Sequence, residues 1–427
     1  MISKELKGLE QKIYIEKLAN GLTIYLIPFE NRKNYYIEYV TKFGAAINKF
    51  IPITKKEYKK VPYGVAHFLE HKMFEQESGE LPFEFFSKYG SDANAATGYK
   101  TTSYTVEGTN NIEENLDYLL TYVNSPYFTL ENVDKEKNII IEEINMYNDE
   151  PEGKLYRESS KAIFKYHPMR IDIGGTEKSV NSITKEDLYD CYNLFYQPSN
   201  MILFIGGNFN VDSVINVIKS NKALLKNKIN QPIKIKKVNE PLNVNIPYKN
   251  LKISGLIIPK FIFTLKISIK NIPKNNLYKY VLAVTLLTNI LYGSSSKFRE
   301  NALKLGIMSF FTISKAIIDD FLLVEFIAES KEPENLSKMV KDYFFNQNIE
   351  ELDLERNKKS HIAGLVLSSD RVVSTVSNLV DTVIDYDDII SNKLEIIKSI
   401  NLKYIFDIKN KINIDNSSLI IAYPKNN

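Results

Sequence analysis

The order of predicted strands and helices recurs in the two halves of this 427-residue chain, and this recurrence constrains the fold more than any other feature. In the first half, strands around "KIYIEKLANGLTIYLIPF" and "YYIEYVTKFGAAI" are followed by helices and by the apolar strand "SNMILFIGGNFN". In the second half, the strand "KFIFTLKISI" is followed by helices and by a last strand, "SSLIIAYP". The sequence therefore predicts an α+β fold of two homologous domains that arose by internal duplication.

A polar, basic stretch with several prolines, "NKINQPIKIKKVNEPLNVNIP", separates the two halves and indicates a linker. We predict an N-terminal domain over residues 1–228, a linker over 229–247 and a C-terminal domain over 248–427. Each domain is expected to be an α/β roll, in which helices pack on a mostly antiparallel sheet.

Three local predictions concern the first half. Asn20-Gly21 tolerates the positive φ angles of a two-residue hairpin turn. Residues from about Pro62 to Gln76 form a predicted helix, with Pro62 near its first turn. The alternating segment "ATGYKTTSYTVEGT" is predicted as a strand.

The predicted helix contains "HFLEH", a His-x-x-Glu-His pattern that uses two of the four histidines in the chain. On a helix, His67 and His71 share one face, and Glu70 lies near it. Two imidazoles at this spacing bind one Zn²⁺ ion, and the acid between them acts as a general base. The alternative is an ordinary helix whose imidazoles are solvated or hydrogen-bonded. With so few histidines a chance match is rare, and the pattern is the inverse of the zincin motif, so we favour a metal site.

A catalytic zinc ion needs a third protein ligand. His167 and His361 have no partner motif, so we expect both to be structural. In "KEKNIIIEEINMYND", Glu136 and Glu143 are close to two helical turns apart and project from one face. We predict Glu143 as the third ligand and Glu136 as a catalytic acid that orients the site. The alternative is a salt-bridged helix surface.

The neighbours of these acids refine the prediction. Ile139, Ile140 and Met146 are expected to extend the stripe of Glu136 and Glu143, whereas Glu142 is expected to face solvent. Acids in an apolar stripe are costly unless they are paired or bound to a metal.

Composition excludes several function classes. The formal net charge is +3, from 55 basic and 52 acidic residues, which gives no attraction to nucleic acid or an anionic membrane. One cysteine allows no internal disulfide and fits a reducing compartment. The N-terminal sequence lacks signal-peptide features. The sequence also contains no run of about 18 apolar residues, so we expect no membrane-spanning helix. We therefore expect a cytoplasmic protein with no nucleic-acid or membrane partner.

These motifs together resemble the pitrilysin/insulinase family of inverzincin metallopeptidases, in particular its small two-domain bacterial members, which include catalytic subunits of paired processing peptidases. The resemblance rests on blocks in the family's order: "LANGLTIYLIP", "HFLEH", "SDANAATGYKTTSY", "EKNIIIEEINMYND", "IGGTEKSVNSITKEDLYDCYNLFYQPSNMILFIGG" and "SSSKFRENALKLGIMSFF". It implies that the two domains form one half-shell and that two half-shells enclose a chamber. It also implies one zinc ion per chain on His67, His71 and Glu143, with Glu70 as the base and Glu136 in support.

The resemblance further implies how peptide is bound. Family members add the peptide as a strand at a sheet edge, and "ANAATGYKTTSY" matches that edge block, so Asn94, Ala95 and Ala96 are the predicted substrate-binding residues. The alternative is a purely structural strand.

Active members also use an Arg/Tyr pair from the C-terminal half-shell. In "SSDRVVSTVSNLVDTVIDYDD", Arg371 and Tyr386 are fifteen residues apart, and no properly spaced pair is present. This favours a heterodimer in which a homologous partner subunit supplies the pair; a homodimer is the other possibility.

The predicted function is a zinc-dependent endopeptidase that cleaves peptides or unfolded segments in an enclosed chamber. One alternative is a non-catalytic scaffold or peptide-binding subunit of a larger complex. Another is a metal-dependent amidase. The complete set of ligands and base argues against a scaffold, and the edge-strand block argues for extended peptide.

Overall fold

The computed structural model describes residues 1–425 as an α+β fold of two compact units. The first unit contains Met1–Asn145, Ile171–Lys237 and Leu367–Ser391; the second contains Met146–Arg170, Val238–Val366 and the chain from Asn392 onward. Each unit has one large, mostly antiparallel sheet packed by helices, so the predicted fold class is confirmed.

The first unit is built on a seven-stranded sheet of order β1-β2-β3-β9-β4-β8-β7. The strands β3 and β9 are parallel, and the other neighbours in this order are antiparallel. A separate pair, β5 and β6, forms a short ribbon. The strands are β1 (Ile2–Leu6), β2 (Gln11–Lys17), β3 (Thr23–Pro28), β4 (Tyr35–Thr41), β5 (Lys49–Phe50), β6 (Lys59–Lys60), β7 (Asp92–Thr97), β8 (Thr102–Gly108) and β9 (Met201–Gly207).

Helices cover both faces of this sheet. One face packs against α1, α3, α7 and α8 through the larger apolar core, and the other packs against α14 through a second, smaller core. The helices are α1 (Val65–Met73), α2 (Pro82–Lys88), α3 (Ile112–Val123), α4 (Leu130–Asp149, whose last residues belong to the second unit), α6 (Glu177–Asn181), α7 (Lys185–Phe195), α8 (Val211–Ser220), α9 (Lys222–Lys226) and α14 (Val372–Tyr386).

The second unit has a five-stranded sheet of order β10-β14-β11-β13-β12, with α5 packed on β10, β11 and β14. Its elements are α5 (Pro151–Ile163), β10 (Tyr248–Ile253), β11 (Lys260–Ser268), α10 (Lys274–Tyr292), α11 (Lys297–Lys304), β12 (Phe310–Ile318), β13 (Phe321–Glu329), α12 (Pro333–Asn346), α13 (Glu351–Ser369), α15 (Lys393–Ser399), α16 (Leu402–Lys411) and β14 (Ser417–Pro424). None of the helices formed by the described residues combines the length and apolar character that crossing a bilayer requires.

The two large sheets share one topology. In the first unit the order β3-β9-β4-β8-β7 begins with a parallel pair and continues antiparallel. In the second, β10-β14-β11-β13-β12 does the same. The recurrence seen in the sequence is therefore a recurrence of strand order and direction, as internal duplication produces.

The compact units depart from the contiguous boundaries 1–228 and 248–427. The break between Lys237 and Val238 falls inside the predicted linker, but the segments 146–170 and 367–391 each pack in the unit of the opposite half. An amphipathic helix shows in its sequence that it buries one face, not which sheet receives that face. Periodicity therefore could not predict that α5 packs in the second unit and α14 in the first.

The three local predictions differ from the structure in ways that backbone geometry explains. The hairpin between β2 and β3 has a five-residue loop rather than a two-residue turn, and Gly21 has a φ of 95° there. The first helix begins only at Val65, because Gly64 has a left-handed φ of 87°, which a right-handed helix excludes. The segment "ATGYKTTSYTVEGT" is not one strand: it contains the end of β7, a turn and β8.

A buried ion pair in the second unit joins Glu240, near the start of the segment that follows the linker break, to Lys266 on β11. Lys266 Nζ lies 2.9 Å from Glu240 Oε1, and the two side chains are 0% and 3% exposed. Lys266 also lies 4.9 Å and 4.6 Å from the ring centres of Phe164 and Phe321. Glu240 accepts three backbone N–H groups, those of Lys165, Tyr166 and His167. Both charges are thus fully compensated inside the unit.

Replacing Lys266 with methionine should therefore destabilise the second unit by about 3–5 kcal/mol, because Glu240 would remain as an unpaired buried charge. Urea titration followed by hydrogen-exchange mass spectrometry of β11 measures this loss. Lys249→Met is the matched control: it removes a partly exposed pair with Glu158 and should cost less than about 1 kcal/mol. Equal losses in the two variants would contradict the burial argument.

Candidate metal centre

Helix α1 presents the two motif histidines toward the same space. His67 and His71 are four residues apart, their ring centres are 4.6 Å apart, and their side chains are 15% and 25% exposed. The rest of the helix is anchored by buried neighbours, including Phe68, Leu69 and Met73. The helix starts tightly against a loop, since a Cβ on Gly64 would lie 2.3 Å from the carbonyl oxygen of Gly174. The imidazoles are therefore mounted on a rigid, well-packed element.

Helix α4 presents the acids to the histidines. Its inward face repeats Val133, Glu136, Ile140 and Glu143 at spacings of three, four and three residues, as a helical stripe requires. Glu142 is exposed, as predicted.

The predicted apolar extension of this stripe is wrong for two residues. Ile139 and Met146 are 46% and 56% exposed, whereas Ile140 is buried. At 100° per residue, Ile139 and Met146 lie about 60° and 80° to one side of Glu136, which is enough to leave the packed face.

The structure brings the three predicted ligands together. Glu143 Oε1 lies 3.7 Å from His67 Nε2, and Glu143 Oε2 lies 3.4 Å from His71 Nε2. One donor atom from each of the three residues lies within 4.8 Å of the others. Donors about 2.0–2.1 Å from one tetrahedral zinc ion are about 3.4 Å apart. These separations match the donor spacing around a zinc ion, so two imidazole nitrogens and a carboxylate fit the metal.

A carboxylate contact orients one of the two histidines, His71. His71 Nδ1 lies 3.0 Å from Glu136 Oε1, so Glu136 holds the ring with Nε2 turned toward Glu143. This is the carboxylate–histidine arrangement that fixes a ligand tautomer. His67 Nδ1 is buried and has no hydrogen-bond partner among residues 1–425, and it packs beside Gly174.

The two imidazoles have opposite electrostatic environments. Burial lowers the pKa of His67 to about 4, so that ring is neutral near pH 7. Burial also acts to lower the pKa of His71, but the hydrogen bond and charge of Glu136 outweigh it, and the pKa is raised. Burial acts to raise the pKa of Glu136, but the hydrogen bond to His71 prevails and lowers it.

Glu70 lies beside the ligands and is held by the edge strand. The residue is 9% exposed, and Thr97 Oγ1 donates a hydrogen bond of 2.6 Å to Glu70 Oε2. Burial raises the pKa of the Glu70 carboxyl, and the Thr97 hydrogen bond partly opposes that rise. A buried carboxylate with a raised pKa next to a metal-ligand set has the properties of a general base.

The predicted substrate residues lie on β7, the strand at one edge of the large sheet. Asn94 and Ala96 are exposed and Ala95 is partly exposed. The Asn94 side chain bends back, and its Oδ1 accepts from the N–H of Ala95 at 2.9 Å.

The other two histidines lie outside the ligand cluster, and one residue near Glu70 was not predicted from the sequence. His167 is 3% exposed and lies 3.2 Å from Asp319 in the second unit, apart from the ligand cluster. His361 also lies outside that cluster. Thr97 was not singled out in the sequence, although it closes the "ANAAT" segment; only the fold shows that it faces Glu70.

Comparison with known proteins identifies relatives along most of the chain. Residues 56–177 match the insulinase family, peptidase family M16, and residues 182–360 match the M16 inactive domain. The uncharacterised zinc protease YmfH of Bacillus subtilis is 37% identical over 83% of this chain and 84% of its own length. The zinc protease PqqE of Helicobacter pylori is 25% identical over 52% of this chain and 50% of its own length.

Solved structures show the same architecture. An M16-like peptidase from Alicyclobacillus acidocaldarius superposes with a TM-score of 0.91 at 29% identity, over 99% of this chain and 100% of that chain. A protease from Helicobacter pylori, at 19% identity, shares the fold with a TM-score of 0.84, over 97% of this chain and 100% of that chain. On these similarities, the chain belongs to the insulinase family of peptidases, peptidase family M16.

Proposed function

We propose that the chain is a zinc-dependent endopeptidase that cleaves peptides or unfolded segments. One observation carries the proposal: the donor atoms of His67, His71 and Glu143 converge within 4.8 Å, with the Glu70 carboxylate beside them. Two similar proteins, YmfH and PqqE, carry the name zinc protease, which supports the same reaction class.

The ligand set would hold one zinc ion per chain on His67 Nε2, His71 Nε2 and the Glu143 carboxylate. Zinc bound there supplies Lewis-acid activation of a carbonyl oxygen and of water. Glu136 keeps His71 turned toward the site through the contact to Nδ1. In each role, the side-chain atom that would act is the one that faces its proposed partner.

Glu70 performs the proton transfers in this proposal. Its Oε2 accepts the hydrogen bond of Thr97 Oγ1, and the carboxylate takes the proton of the attacking water and delivers it to the departing amine. Burial makes this carboxylate a stronger base than one in bulk water, as its raised pKa indicates.

Strand β7 supplies the binding surface for peptide. It forms the sheet edge next to the base, and small side chains at Ala95 and Ala96 permit close approach of a second backbone. An incoming peptide carbonyl can replace Asn94 Oδ1 on the N–H of Ala95. Extended peptide therefore fits this edge better than a compact amide substrate does.

A homologous partner subunit completes the proposed enzyme. Arg371 immediately precedes α14 and Tyr386 ends it, so their backbones are about 22 Å apart along the helix axis at 1.5 Å per residue. That separation excludes a pair acting on one carbonyl. We propose a heterodimer in which the partner supplies an Arg/Tyr pair and a second half-shell to enclose the chamber.

Cytoplasmic action likewise remains our prediction, supported by the single, buried cysteine. One similar structure is of a periplasmic protease, PqqL of Escherichia coli.

The proposal is tested by measuring cleavage of a quenched peptide library by the zinc-loaded chain, alone and mixed with a candidate homologous subunit. We expect at least tenfold faster cleavage in the mixture. Full activity of the isolated monomer would refute the need for a partner. Zinc binding without cleavage in any mixture would instead favour a peptide-binding or scaffold subunit.

A further inference from the structure

We infer that Thr97 is a positioning residue for the base: its hydroxyl fixes Glu70 and couples it to the strand that receives the peptide. This inference rests on the proposed function and adds a residue that the metal-ligand pattern does not contain.

The Thr97 hydroxyl has one role as a donor, beside the Thr97 backbone N–H, which also bonds the Glu70 carboxylate. Its Oγ1 lies 2.6 Å from Glu70 Oε2 and 3.3 Å from Thr102 Oγ1. The Thr102 hydroxyl proton is already used, because Thr102 donates to the carbonyl oxygen of Phe43 at 3.0 Å. A hydroxyl has one proton, so the Thr97 proton belongs to the shorter contact with the carboxylate. The network therefore favours ionised Glu70 in a single orientation.

The turn after Thr97 is rigidly mounted. The N–H of Gly98 donates to Thr101 at 2.8 Å, and the N–H groups of Ala45 and Ala46 donate to the carbonyls of Gly98 and Tyr99 at 2.9 Å each. Gly44 is needed for this approach, since a Cβ there would lie 2.6 Å from the Gly98 carbonyl oxygen. Thr97 is thus held between the β8 ladder and a pinned turn, and it cannot follow Glu70 if that side chain drifts.

The position of Thr97 in the strand gives the coupling. It is the last residue of β7 and directly follows Ala96, one of the proposed peptide-binding positions. The strand that sets the register of the peptide therefore also fixes the oxygen atoms of the base. Small misplacements of a catalytic group can cost about 100-fold in rate, so this link has a measurable effect.

The test compares Thr97→Val, which keeps the shape and removes the donor, with Thr97→Ser, which keeps the donor. Both are made in the full zinc-loaded chain, assayed with its partner subunit where turnover requires one. For Thr97→Val we expect kcat to fall about 10- to 100-fold with KM unchanged within about twofold. Thr97→Ser should stay within about threefold of the wild type. Thr285→Val, which removes a threonine hydroxyl bonded to its own helix in the second unit, is the control and should change neither constant.

A second readout does not depend on turnover. In crystal structures of the metal-free variants, Glu70 should leave its position in Thr97→Val and keep it in Thr97→Ser. An unmoved Glu70 in Thr97→Val, or equal loss of kcat in both variants, would overturn the inference. If the wild type itself cleaves no peptide, the proposed function fails, and the position of Glu70 in the two variants still decides the role of Thr97.

Discussion

Replacing Glu70 with glutamine should reduce peptide hydrolysis about 10³- to 10⁴-fold while zinc binding stays intact. Glutamine has nearly the same shape and can still accept the Thr97 hydrogen bond, but its neutral amide cannot take the proton of the attacking water. The proposed zinc donors belong to His67, His71 and Glu143, so the change leaves them in place. The measurement is kcat on a quenched peptide, with zinc content determined on the same sample.

Glu142→Gln is the control for this loss of one carboxylate. Glu142 is exposed on α4, one residue from Glu143, and its replacement should leave kcat within about twofold, as expected for a surface substitution away from the chemistry. Residual turnover above one tenth of the wild type in Glu70→Gln would remove Glu70 from the role of base.

Replacing Glu143 with alanine should weaken zinc binding by more than about 100-fold. Loss of a residue that only supports a ligand already costs about 10- to 100-fold in metal affinity, and Glu143 is a proposed ligand whose two oxygens face His67 and His71. Competition with a chelator of known affinity at fixed pH measures the change without any assay of hydrolysis.

The same chelator competition compares how much each acid of α4 contributes to zinc affinity. Glu136→Gln, which affects zinc only through His71, should fall between Glu143→Ala and the exposed Glu142→Ala. Wild-type zinc affinity in Glu143→Ala, or a larger loss in Glu142→Ala, would show that the metal is held elsewhere.

Local helix geometry explains why the ligand cluster could be predicted from sequence. A spacing of four residues places His67 and His71 on one face, and a spacing of seven does the same for Glu136 and Glu143. Helix α4, Leu130–Asp149, contains the segment "KEKNIIIEEINMYND", and β14, Ser417–Pro424, coincides with "SSLIIAYP". Such features depend on neighbours a few residues away and are written in the pattern itself.

Contacts between distant segments account for what the sequence did not reveal. The partner of Glu70 is Thr97, 27 residues away on a different element, and no periodicity links the two. The packing of α5 on the second sheet and of α14 on the first also depends on tertiary assembly. The exposure of Ile139 and Met146 depends on how α4 is rotated against α1, which an apolar count does not determine.

The most direct test of the central claim is zinc stoichiometry joined to zinc-dependent cleavage in one preparation of the full chain and its partner subunit. We predict one zinc ion per chain by elemental analysis, loss of peptide cleavage after chelation, and recovery on adding zinc back. We also predict no stoichiometric zinc when His67, His71 and Glu143 are all replaced by alanine. Cleavage that continues at the same rate in the metal-free protein, or a full zinc content in the triple variant, would contradict the account.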